Sequence, residues 1–460
     1  MAQASGKGRA AGILGAAVGV VAAGAAVGFT LERLTIGRAV RRMASIHDPG
    51  EPFGTLRGDP CTVLASDGIE LCVEVDEPRG WAASPPRSGA QRAAGGGRGP
   101  GAADGPANGS AAASPRSADA AQAPADASTN GGKAGSGARA SGLAAAMRSA
   151  RDAAADALIA AAAPAPTPPP RPTLLFTHGF CLPQDCWHFQ RAEFSATHRM
   201  VFWDQRGHGR SERSPLDAKG RRKPVTIEQL GQDLYAVLEA TCPEGPVILV
   251  GHSLGGMTMM ALAEQHPELF GERIVGAALI STSAGRFEDV VFGLPRPSAK
   301  LLHRTTPTML ELLARQTGLV ERGRALGGDL GLVLTRRYAF GSEVPESVLR
   351  YTQDLIQSVP IDVIADFYPI FGRLDFGEAV PVFDRVPTLV LSGANDLVLP
   401  VAHSEALADA IPSADYVVLP NAGHAVILEH PDAVGEALRN LVDRAEAQLG
   451  SSSSGRRAAQ

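Results

Sequence analysis

Residues 247–265 set the tightest constraint on this chain. Four apolar residues, Val247-Ile-Leu-Val250, run directly into Gly251-His-Ser-Leu-Gly-Gly256 and then into the helix-forming stretch Met257 to Gln265. A β run that gives way to a helix within so few residues needs glycine at 251 and 255, where side chains two residues either side of Ser253 would collide. Ser253 is thereby lifted clear of the strand. It also sits at a helix N-terminus, where backbone N–H groups and the helix dipole favour developing negative charge.

The rest of the chain from Pro172 onward is consistent with that unit. Short apolar runs at Thr173–Thr177, Met200–Trp203, Val247–Val250, Val275–Ile280, Thr388–Leu391 and Tyr416–Leu419 alternate with helical segments, the pattern of a doubly wound, mostly parallel α/β sheet. Thr226-Ile-Glu-Gln229 reads as a capping box opening a helix to about Ala240. Residues 286–375 break the alternation with Leu-rich helical segments and scattered prolines, and are expected to form a lid. Upstream, two β-rich runs within residues 62–75 flank Asp67-Gly68, a strong hairpin signal. Residues 60–77 are therefore expected to be the first hairpin of the domain that continues over 172–448, with 449–460 a disordered tail.

Between the hairpin and Pro172 the composition changes to Ala, Gly, Ser and Pro. Trp81, Leu143, Met147, Leu158 and Ile159 are its only aromatic and larger aliphatic or Met residues. Such a segment cannot bury enough apolar surface to offset its ordering entropy, so 78–171 is expected to be a disordered insertion, with a transient helix over 141–163. Closing a long loop costs only logarithmically more than closing a short one, so hairpin and body can share a domain. At the N-terminus (1–45), the uncharged stretch from Ala10 to Leu31 would span roughly 33 Å as a helix, enough to cross a bilayer. It is a membrane-anchor candidate, with a cleaved signal peptide or a soluble helix as rivals. The arginines at 33, 38, 41 and 42 tilt the C-terminal domain toward the cytoplasm. The expected location is the cell membrane, single-pass, with secretion after cleavage as the alternative.

A net charge of −5 gives no basic field to attract nucleic acid. The five cysteines form no CxxC pair, and no His or carboxylate cluster has metal-ligand spacing, so neither a metal nor a cofactor is expected. No GxGxxG follows a strand as a dinucleotide site would need.

The chain resembles the α/β-hydrolase superfamily of serine hydrolases over residues 60–77 and 172–448. Gly251-His-Ser-Leu-Gly255 matches the family's nucleophile elbow. His178-Gly179-Phe180 matches its HG motif, Asp204-Gln-Arg-Gly-His-Gly-Arg-Ser211 its DxRGxGxS loop, Ser392-Gly-Ala-Asn-Asp396 the strand end that delivers an acid, and Asn421-Ala-Gly-His424 the loop that delivers a histidine. The resemblance implies Ser253 as nucleophile, His424 as general base, Asp396 as the acid that orients it, and the backbone N–H groups of Phe180 and Leu254 as oxyanion hole. Asp366, Asp375 and Asp384 are alternative acids, but none follows an apolar strand on a glycine-containing turn before the histidine. His403 and His430 fall in expected helices. His178, His208 and His252 suit loop hydrogen bonds, Cys181 a packed thiol, and Trp187 and His188 the packing at a helix start.

A serine at the elbow argues against the family's dehalogenases and epoxide hydrolases, which use a carboxylate there. The implied activity is hydrolysis of a small-molecule ester through an acyl-enzyme, with a lipophilic ester as the substrate a membrane tether would suit. C–C bond hydrolysis or acyl transfer on the same triad, or a non-catalytic binding module, are the alternatives. Leu301, Met309, Leu310, Leu312, Leu313, Phe340, Phe367, Phe371 and Phe376 are apolar lid positions that either line a pocket or pack the lid. Deleting residues 85–165 is expected to leave folding and activity nearly intact; thermal denaturation showing a large loss of stability would overturn the reading of the insertion.

Overall fold

The computed structural model describes residues 52–78 and 171–458, except 217–221, 223–224, 288–289 and 327. The N-terminal apolar run and the body of the insertion lie outside the described residues. No described helix is long and apolar enough to cross a membrane.

Eight strands form one sheet: β1 (Asp59–Leu64), β2 (Glu70–Asp76), β3 (Thr173–Thr177), β4 (Met200–Trp203), β5 (Val247–His252), β6 (Ile274–Ile280), β7 (Thr388–Gly393) and β8 (Asp415–Leu419). Their order is β1-β2-β4-β3-β5-β6-β7-β8. The hairpin β1–β2 and its junction with β4 are antiparallel, and the pairings from β4 to β8 are parallel. The sheet is the expected α/β, doubly wound, mostly parallel one. Its central strands are fully buried, which explains why they read as unbroken apolar runs.

Period-two alternation divides the core in two. Leu175, Val201, Trp203 and Leu249 face α2 (Ile227–Thr241) and α3 (Leu254–Gln265), while Leu174, Phe176, Phe202 and Val250 face the other layer. That layer comprises α1 (His188–Phe194), α10 (Val426–Glu429) and α11 (Pro431–Ala458), with Trp187, Phe194, Ile427 and Leu438 filling it. The segment expected as a lid carries α4 (Arg296–Ala314), α5 (Thr317–Leu326), α6 (Gly328–Ala339), α7 (Glu346–Gln357) and α8 (Ile361–Phe367). Helix α9 (Ala402–Ala410) lies between β7 and β8 in sequence.

Several boundaries differ from the sequence reading for local reasons. Helix α3 starts at Leu254 instead of Met257, because Ser253 itself is the N-cap residue. The capping box of α2 is half made: Thr226 Oγ1 accepts from the Gln229 amide at 3.2 Å, but the Gln229 side chain donates to Asp67 at 2.8 Å. Helix α11 continues past residue 448 to Ala458, through the expected tail. His430 sits at the junction of α10 and α11 rather than within a helix.

One buried cation ties the hairpin to the body. Arg206, fully enclosed, donates to both oxygens of the equally buried Asp233 on α2 at 2.6 Å, and to Asp67 in the hairpin turn at 2.8 Å. Removing one partner of a buried pair leaves the other charge unmatched, which typically costs about 3–5 kcal/mol. Arg206→Ala is expected to lower stability by about that much in urea denaturation.

Candidate active site

Ser253, Asp396 and His424 meet at the C-terminal ends of the parallel strands, where open α/β sheets place their sites. Ser253 follows β5, with φ 53° and ψ −117°. A non-glycine residue held there costs of order 1–3 kcal/mol, so the surroundings must enforce it. They do so through glycine. A Cβ on Gly255 would lie 2.1 Å from the Thr177 carbonyl of β3, and one on Gly251 would lie 2.7 Å from the Gly255 and Gly256 backbone. The Ser253 amide donates to Ile280 O of β6 at 2.9 Å, and Thr282 Oγ1 donates to Ser253 O at 2.7 Å.

His424, after β8, places Nε2 3.0 Å from Ser253 Oγ and Nδ1 2.7 Å from Asp396 Oδ2. With Nδ1–H donating to the carboxylate, Nε2 is left to accept from the serine hydroxyl. Asp396 lies beyond β7 and is buried; its other oxygen accepts from the amides of Val398 and Leu399, both at 2.8 Å. The alternative acids are elsewhere: Asp384 accepts from the Ser413 amide, Asp366 faces Arg222, and Asp375 lines a separate cavity. His403 is on α9, bonded to Ser283.

Four consecutive residues around the histidine are each held by a different element. Ala422 O accepts from the Asn395 amide of the acid loop at 2.9 Å. The Gly423 amide donates to Glu429 at 2.6 Å, His424 O accepts from His252 Nε2 at 2.9 Å, and the Ala425 amide donates to Ala339 O at the end of α6 at 2.8 Å. The packing permits no side chain: a Cβ on Gly423 would lie 2.5 Å from Gly341 N, and one on Gly393 2.4 Å from Ala422 O.

Glu429 is the residue the sequence reading missed. Its side chain is fully buried and also accepts from Gly341 N at 2.9 Å, Ser342 N at 2.5 Å and Ser342 Oγ at 2.6 Å. Its only sequence signal is a carboxylate closing the apolar run Ala425-Val-Ile-Leu428, whose burial draws the next side chain toward the core.

The motif histidines serve the loops. His178 Nε2 accepts from the Gln205 amide at 2.8 Å, and Gln205 Nε2 donates back to His178 O at 2.7 Å, locking the loop after β3 to the loop after β4. His208 Nε2 accepts from the Cys181 amide at 3.3 Å. Burial holds His178 at a pKa of about 4 and His208 and His252 at about 3, so all three are neutral at pH 7. Burial also pushes the Cys181 thiol up to about 12, which makes it inert. Trp187 and His188 are buried at the start of α1, as expected of packing residues.

Gly179 packs against Ser253, where an added Cβ would lie 3.1 Å from the serine Cβ, so Phe180 follows directly beside the hydroxyl-bearing residue. Among the described residues, neither the Phe180 nor the Leu254 amide donates to a protein acceptor. The Phe180 ring meets Phe371 at 5.3 Å and Phe367 at 6.1 Å, and Phe287 stacks on Phe371 at 4.9 Å. Of the apolar lid positions, Leu310, Phe340, Phe367, Phe371 and Phe376 are buried and Leu313 is half-buried, whereas Leu301, Met309 and Leu312 are exposed. Ser253 is only 7% exposed. A cavity of about 720 Å³ lined by Ser283, Arg286, Asp375 and His403 and one of about 360 Å³ beside Asp396 both stop short of Ser253 and His424.

The family model described as the alpha/beta hydrolase fold matches residues 172–431, and the chain belongs to that family. An uncharacterised protein of Mycobacterium tuberculosis is 26% identical over 288 residues, covering 60% of this chain and 76% of its own. The 3-oxoadipate enol-lactonase 2 of Acinetobacter baylyi is 26% identical over 278 residues, covering 59% of this chain and 89% of its own. Among solved structures, a thermophilic esterase from Thermogutta terrifontis is similar at 26% identity and a TM-score of 0.47, over 61% of this chain and 92% of that one.

Glu429→Gln replaces an acceptor of four hydrogen bonds with a group that must turn an N–H toward at least one buried donor. Each buried donor left unmatched typically costs about 1–3 kcal/mol, and a stability loss of that order is expected in urea denaturation.

Proposed function

We propose that this protein is a serine hydrolase that cleaves a carboxylic ester through an acyl-enzyme. The observation that carries the reading is the continuous hydrogen-bonded line Ser253 Oγ, His424, Asp396, with spacings of 3.0 and 2.7 Å. His424 Nε2 takes the Ser253 proton as Oγ attacks the ester carbonyl, and the resulting imidazolium returns that proton to the departing alkoxide. Water, deprotonated by the same nitrogen, then releases the acid. Asp396 accepts the imidazole N–H and two backbone amides, which fixes the tautomer and orientation of His424. The Phe180 and Leu254 amides are the donors proposed for the tetrahedral oxyanion, each worth about 2.7–4 kcal/mol in such sites.

Membership of the family and a relative named for a lactonase reaction support hydrolytic chemistry at this site. The Phe180, Phe287, Phe367 and Phe371 rings favour an apolar group next to the carbonyl. A membrane anchor at residues 10–31 is part of the same proposal.

A fluorophosphonate probe is expected to label wild-type protein at Ser253, read by peptide mapping, and to leave Ser253→Ala unlabelled. Hydrolysis of p-nitrophenyl esters should fall about 10⁴-fold or more in that variant and rise with acyl length in the wild type. Labelling of another residue, or none on folded protein, would overturn the assignment.

A further inference from the structure

The lid carries a surface that the chemistry at Ser253 does not explain. Of the eleven large hydrophobic side chains most exposed among the described residues, seven lie between Leu294 and Leu334. Leu319 is 69% exposed and Leu301 62%. A folded domain scatters such residues singly; their concentration marks a surface that meets something apolar.

Helix α4 shows how the surface is built. At 100° per residue its circumference falls into three sectors. Ala299, Thr306 and Leu310 are buried against the body. Arg296, Lys300 and Arg304 follow one another at four-residue spacing on an exposed sector, which Glu311 shares. Leu301, Met309 and Leu312 occupy the exposed sector beyond them, together with Ser298 and Thr305. Helix α5 continues the arrangement, with exposed Leu319 followed by exposed Arg322. A helix needs only two sectors to pack on a core. The third, rich in Leu and Met and bordered on one side by cations, matches the pattern of helices that lie in a lipid interface, with Leu and Met reaching the acyl boundary and Lys and Arg at the headgroups.

Charge identifies the occupant. Residues 296–339 contain eight Arg or Lys and three Asp or Glu, a net charge of +5, in a chain whose total is −5. A second copy would bring the same positive face. Residues 79–170 carry nine Arg or Lys and five Asp, so the charge of that segment does not complement the lid's either. The surface that complements exposed leucines bordered by cations is an anionic lipid bilayer.

We infer that the outer face of α4 and α5 docks the protein on anionic lipid bilayers. This rests on the lid surface alone and holds whatever reaction Ser253 performs.

Hydrogen exchange read by mass spectrometry tests it on the full chain, with phosphatidylcholine vesicles and with vesicles that also contain phosphatidylglycerol. Because exchange is read peptide by peptide, attachment through the N-terminal segment is separated from attachment through the lid. Peptides covering 296–326 are expected to slow their exchange with the anionic vesicles, and the lipid needed for half-maximal protection should rise at least about tenfold in 0.5 M salt. The triple variant Leu301→Glu, Leu312→Glu, Leu319→Glu changes only exposed positions and should lose that protection. Unchanged lid exchange with anionic vesicles, or equal protection by phosphatidylcholine alone, would overturn the inference. Protection without lipid that grows with protein concentration would assign the face to a second copy instead.

Discussion

A histidine that must meet a serine from one strand and a carboxylate from another has to be held by its backbone, because the imidazole cannot correct for a loop that drifts. Residues 422–425 meet this demand with four bonds to four places: the acid loop, Glu429, the residue before the serine, and the end of α6. The 3.0 and 2.7 Å spacings depend on that suspension. They also require glycine at 341, 393 and 423, since each bond draws backbones closer than a Cβ would allow.

The same economy governs the serine. Its left-handed backbone is enforced by β3 and β6 on either side and by the glycines that let them close in. The loops after β3 and β4 are joined by His178 and Gln205, and neutral buried histidines supply these bonds without introducing a charge that would need a partner. Charge is admitted to the interior where it is matched, as at Arg206 and Asp233.

What the sequence showed was what local geometry dictates. The strand–turn–helix around Ser253, the apolar runs of the central strands and the glycine turn before Asp396 are local, and residues 253, 396 and 424 could be picked out before any fold was seen. Glu429 could not, because its partners at 341, 342 and 423 are distant in sequence or unremarkable in type. The end of α11 was misplaced because Ser- and Gly-rich composition near residue 450 reads as a stop, while the helix continues to Ala458. The lid was legible as helical, but not which of its leucines face outward: Leu310 and Leu312 look alike in sequence and end on opposite sides of α4.

The first half of the lid is fastened at both ends to the two reacting residues. At its start, Thr282 holds the serine carbonyl and the Ser281 amide bonds to Leu391 O of β7; at its finish, Ala339, Gly341 and Ser342 are tied to the histidine loop and Glu429. Between these posts, about sixty residues apart along the chain, α4 rests on the body through Ala299, Thr306 and Leu310, and its outer face is left unconstrained. The exposed face of such a span is free to change by drift or by a protein engineer's hand while the posts and the buried face stay as they are. The chemistry would carry on beneath whatever roof was fitted.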